Sequence, residues 1–106
     1  MPTYLVTYHG GQGMPSDPEA VQQMLAAFQA WVAEVGPAMR DPGAPLANAK
    51  TVSADGALDG QREASIGGYT ILEADSLDAA VGLVGSHPFL AGGGSLQVNE
   101  AAAVGG

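Results

Sequence analysis

The stretch Gly67–Glu100, GGYTILEADSLDAAVGLVGSHPFLAGGGSLQVNE, decides the fold. From Gly68 the side chains alternate: Tyr69, Ile71 and Glu73 fall on one side, Thr70, Leu72 and Ala74 on the other. A period of two in β-branched and aromatic residues predicts a strand. Asp75 and Ser76 end it and cap a helix, because their side-chain oxygens accept from backbone N–H groups left free in a first turn. Asp78 suits the positive end of that helix. Leu77, Ala80, Val81 and Val84 form one apolar stripe. Gly85 is expected as a left-handed C-terminal cap, and Pro88 cannot continue the helix. Gly92-Gly93-Gly94 turns the chain into a last strand, in which Leu96 and Val98 alternate with Ser95, Gln97 and Asn99.

Working outward, the first half repeats this plan. Thr3–His9 alternates as Tyr4, Val6, Tyr8 against Leu5, Thr7, His9, a first strand. Asp17 caps a helix with Pro18 at its first position. Val21, Met24, Leu25, Phe28, Trp31, Val32 and Val35 recur at the three- and four-residue spacing of a helix face, and Gly36-Pro37 stops it. Met39–Ala47, with Pro42 and Pro45, reads as a surface linker. Lys50–Ala54, around Val52, is a second strand, followed by turn dipeptides Asp55-Gly56 and Asp59-Gly60. Residues 101–106 are expected to fray.

The sequence thus implies an α+β fold of strand, helix, strand, strand, helix, strand. Right-handed crossovers give a ferredoxin-like, four-stranded antiparallel sheet in the order 4-1-3-2, with both helices on one face. The first and third strands are apolar or aromatic on both sides, so two helices leave an apolar face uncovered. A sheet-to-sheet homodimer covers it.

Composition sets further limits. The chain has 106 residues, enough for one domain with a modest core. There is no cysteine, which removes disulfides, thiolate metal sites and cysteine catalysis. A net charge of −8 disfavours nucleic acid and anionic membranes as partners. No basic leader and no membrane-length apolar run is present, so a cytoplasmic protein is expected. The sixteen glycines cluster at turns without a period.

Two histidines carry the only imidazole chemistry. His9 ends the first strand and His87 lies between the second helix and the last strand. The topology predicts that they meet at one end of the sheet, near Gly10–Gly13, Gly92–Gly94, Asp55, Asp59 and Glu63. Imidazoles beside carboxylates could hold a divalent metal or act as acid and base. The plainer alternative, a half-exposed strand end and a helix stop, outweighs this because the spacing matches no metal motif. No cofactor or metal is called for. Gly11-Gln12-Gly13 precedes a helix as an anion cradle would, but Asp17 fills that terminus with its own carboxylate. Asp55, Asp59 and Glu63 lack the ligand ladder of a calcium loop. A pocket between helices and sheet, walled by Trp31, Phe28, Tyr69 and Tyr4 or Tyr8, could take a small ring compound. Trp31 as plain core outweighs that reading, and strand register decides which tyrosine faces the helices.

GGYTILEADSLDAAV followed by HPFLAGGGSLQV resembles the second half of the YCII-related (DGPF-type) domains. YLVTYHGG at Tyr4–Gly11, the Trp31 helix and TVSADG at Thr51–Gly56 fit the same pattern, so the resemblance spans nearly the whole chain. It implies a dimeric α+β barrel of ferredoxin-like subunits. The Asp-Gly-Pro-Phe that names the family is missing: Asp59-Gly60 is followed by Gln61-Arg62. Some members carry a histidine on the first helix, paired with an aspartate and proposed as catalytic; this first helix has none, so that role has no residue here. Functions implied by the resemblance are small-molecule dehydrochlorination or isomerisation, or a regulatory role beside sigma factors. The choice left open is between an enzyme or binder with convergent polar groups in a closed cavity and a non-catalytic interaction module. A filled core with exposed apolar surface would argue for the module.

Overall fold

A computed structural model of the protein describes residues 2–10, 16–59 and 66–102. Strands β1 (Thr3–Gly10), β2 (Met39–Pro45), β5 (Gly68–Glu73) and β6 (Gly94–Glu100) form an antiparallel sheet in the order β2-β5-β1-β6. Helices α1 (Pro18–Val35) and α2 (Leu77–Val84) pack on it. This α+β architecture is compatible with the ferredoxin-like arrangement. Strands β3 (Lys50–Ser53) and β4 (Gly56–Asp59) make a separate two-stranded ribbon.

The edge strand beside β5 is therefore 39–45, where a linker was expected, and 50–54 does not join the sheet. Strand propensity argues against a segment with two prolines, but an edge strand tolerates a missing N–H. Two breaks of register, between Met39 and Asp41 and between Asp41 and Ala44, absorb the surplus residues as bulges. Gly43 makes the second possible. Its φ is +80°, and a Cβ there would overlap the Tyr69 carbonyl oxygen. The Asp41 carboxylate accepts from Gly43 N at 2.8 Å. Lys50–Ser53 instead pairs with Gly56–Asp59 across a two-residue turn at Ala54-Asp55.

The helices begin as the sequence implies. Asp17 accepts from Glu19 N, and Ser76 Oγ accepts from Ala79 N at 3.1 Å. At the end of α2 the expectation fails, because Gly85 is right-handed (φ −60°) and simply hands its N–H to Val81. Gly36 supplies a positive φ at the end of α1.

Register assigns the faces. Tyr4 lies opposite Leu72 and Glu100, Val6 opposite Thr70 and Val98, Tyr8 opposite Gly68 and Leu96. These residues share the face toward the helices, where Tyr4, Val6 and Leu72 join Trp31, Val35, Ala80 and Val84 in the core. The other face carries Leu5, Thr7 and His9 from β1, and Tyr69 and Ile71 from β5. Trp31 Nε1 donates to the Leu83 carbonyl at 3.0 Å and ties α1 to α2. Only the C-terminal half of the α1 stripe is deeply covered: Trp31 and Val35 are buried, whereas Leu25 is 47% exposed. No helix among the described residues is long and apolar enough to cross a membrane. Ala101 still donates to the Thr3 carbonyl, so the expected fraying does not begin there, and residues 103–106 lie outside the described part.

Candidate functional site

Between the helices and the sheet, the only buried imidazole is His87, 5% exposed. It sits where the chain leaves α2 and caps a short 3-10 turn at Pro88–Leu90, with Nδ1 accepting from Phe89 N at 3.0 Å. Its ring packs at a tilt of 48° against Trp31 (centroids 4.3 Å apart), with Phe28 at 5.7 Å and Tyr8 edge-on at 5.0 Å. Its Nε2 lies 2.6 Å from Tyr8 Oη. Tyr8 Oη is also 2.7 Å from Thr70 Oγ1, which lies 2.9 Å from the Pro42 carbonyl.

The two ends of this chain fix every proton in it. An amide N–H can only donate, so Nδ1 of His87 is bare and Nε2 carries the hydrogen. A carbonyl can only accept, so Thr70 donates to Pro42. Nε2–H therefore donates to Tyr8 Oη, Tyr8 donates to Thr70 Oγ1, and Thr70 donates onward. A run of hydrogen bonds in one direction polarises each member favourably. Burial lowers the pKa of His87 to about 4, so the ring is neutral near pH 7. Burial likewise raises that of Tyr8, partly offset by its bond to Thr70. Neither ring nitrogen of His87 has a free lone pair for a substrate proton.

The sequence-derived site residues divide between the two faces. His87 and Trp31 come together. His9 reaches the same end of the sheet as the Tyr8–His87 contact but points to the opposite side, where Nε2 lies 2.7 Å from Thr7 Oγ1. Tyr69 shares that side, opposite Thr7 in register. The expected meeting of His9 with His87 fails by one residue of strand parity, since it is Tyr8 that faces the helices. Phe28 and Tyr8 stand where a pocket was expected, in ring contact with His87. Asp55 lies in the turn of the ribbon and Asp59 ends it, pairing with Lys50 at 3.4 Å. Glu63 and Gly11–Gly13 lie outside the described residues. Among the described residues, no three His, Asp or Glu side chains are grouped to hold a metal ion.

Thr70 is the participant that sequence reasoning missed, whereas Tyr8 was expected only as an alternative to Tyr4 in a pocket wall, with no link to His87. The signal was there in part: Thr70 is a lone hydroxyl on an otherwise apolar strand face with Leu72, and a buried hydroxyl needs a partner. Neither a protein-family model nor a curated protein matches the chain.

Proposed function

We propose that this chain is a YCII-related interaction module that acts as a homodimer through the uncovered face of its sheet. One observation carries the reading. Leu5, Tyr69 and Ile71 stand on the face away from both helices, and Leu5 is 40% exposed. The histidine-bearing interior, by contrast, is packed and its buried polar side-chain atoms are all hydrogen-bonded among the described residues. A filled core beside an apolar surface favours association over turnover. Packing two such faces gives the α+β barrel that the YCII resemblance implies. Each subunit brings a charge of −8, so the dimer strengthens as salt screens the repulsion. The alternative, a lyase or isomerase acting on a small molecule, needs an available acid or base, and His87 has both nitrogens engaged.

Sedimentation equilibrium at micromolar concentration tests the proposal. The native chain of 10.6 kDa should run at twice that mass, and Leu5→Asp should run as a folded monomer. A native monomer, or a Leu5→Asp dimer of undiminished stability, refutes it.

A further inference from the structure

On the helix side of the sheet the described residues leave one position empty. β6 is an edge strand, and its Leu96 and Val98 face the helix layer. α2 runs beside them, but no α1 residue closes the gap. The result is an apolar groove of about 290 Å³ lined by Leu77, Val81, Val84, Leu90, Leu96 and Val98. Leu77 is 45%, Val81 51% and Leu90 39% exposed. The groove follows the eight residues of α2, hence about 12 Å or two helical turns.

Its shape and its charge point to the same occupant. A strand added to β6 would extend the sheet in its own plane and leave the groove open above it. A helix laid beside α2 would fill it with an apolar ridge at i, i+3, i+4 and i+7. Carboxylates stand at both ends. Asp78 follows Leu77, Glu100 lies two residues beyond Val98 on the same strand face, and Glu34, held by Ser86 Oγ at 3.3 Å, marks the far end beside Gly85. The described cations are engaged elsewhere, Arg40 with Glu73 and Lys50 with Asp59. A helix of a second copy cannot supply complementary charge, because neither α1 nor α2 contains a lysine or arginine.

We propose that the groove between α2 and β6 docks an amphipathic, basic helix of a different protein. The site rests on the layer opposite the face assigned to self-association, so either can fail without the other.

The test uses a labelled synthetic helical peptide with leucines at i, i+3, i+4 and i+7 and lysines at both ends. Titrated into the full chain, it should shift the backbone amide resonances of Leu77–Val84 and Leu96–Val98. Val81→Asp should weaken binding by roughly tenfold or more, although it adds negative charge. Leu90→Asp should do the same, and Leu5→Asp should bind like the native chain. Unchanged or tighter binding by Val81→Asp would mean charge attraction alone and overturn the proposal. So would equal binding of a peptide with glutamates in place of the lysines, or no binding at all. A fall in the native chain's sedimenting mass on Val81→Asp would assign the groove to self-contact and overturn it equally.

Discussion

The neutral His87 gives the protein a defined acid weakness. Its pKa falls from 6.5 to about 4 on folding because burial penalises the imidazolium. The unfolded chain, with the ordinary value, binds a proton first as pH drops. Between pH 6.5 and 4 the unfolded state therefore holds more protons, and stability rises with pH across that window. The full effect of such a shift is about 3 kcal/mol, and about 2 kcal/mol of it is lost between pH 7 and pH 5. Protonating Nδ1 would also turn the acceptor of the Phe89 N–H into a donor, so the loss has a structural locus. Urea unfolding at steps between pH 7 and pH 5 measures the slope. His87→Asn is the comparison, since its side-chain oxygen can still cap Phe89 N while nothing titrates. The variant should start less stable from lost ring packing but show a flatter curve, and the gap between the two proteins should narrow as pH falls. His9 and the carboxylates are common to both and cancel in the difference. Parallel curves would refute the reasoning, because His87 would then titrate alike folded and unfolded.

Three other perturbations check the packing. Trp31→Ala should cost roughly 3–5 kcal/mol in a chemical melt, and less than about 1 kcal/mol would mean that the ring does not hold the helices to the sheet. Tyr8→Phe keeps the ring but removes the hydroxyl between His87 and Thr70. It should cost about 1–3 kcal/mol, the penalty for a buried donor left unmet, and a neutral result would show the chain of bonds to be dispensable. Gly43→Ala should cost at least about 2 kcal/mol, from steric overlap with the Tyr69 carbonyl and a positive φ. Amide exchange should show the loss concentrated in β2 and β5, and protection unchanged there would discount the bulge.

The sequence made plain those elements whose signals are local. Asp17-Pro18 and Ser76 place the helix starts because a cap needs only the next three residues. β1, β5 and β6 are visible because their alternation survives in each strand alone. The edge strand 39–45 was hidden for the opposite reason. Its prolines are tolerated because no described strand pairs with its outer edge, and its second bulge fits because Gly43 can approach Tyr69. Both are properties of the neighbour and not of the segment. The candidate site failed at the same level. Chain order could bring His9 and His87 to one end, but whether residue 8 or residue 9 faces the helices depends on parity, and β1 is apolar on both sides. Once Tyr8 turns inward, the imidazole partner of His87 becomes a phenol.

That exchange gives the buried polar chain a role. The run from His87 through Tyr8 and Thr70 to the Pro42 carbonyl begins at the turn after α2, crosses β1 and β5, and ends on the bulged edge strand. β2 is the strand least able to hold itself, since Pro42 and Pro45 remove two donors and two register breaks interrupt its ladder. The Pro42 carbonyl sits inside the second break, between Asp41 and Ala44, and takes its bond from a side chain of β5. An apolar residue in place of Thr70 would leave that carbonyl without this bond and Tyr8 without an acceptor. The chain therefore trades some hydrophobic burial for a defined position of its weakest strand. His87 is the donor at its head, neutral because it is buried and directional because Phe89 N–H occupies its other nitrogen. Burial and a phenolic partner, the two features the structure gives His87, are those required of a strut.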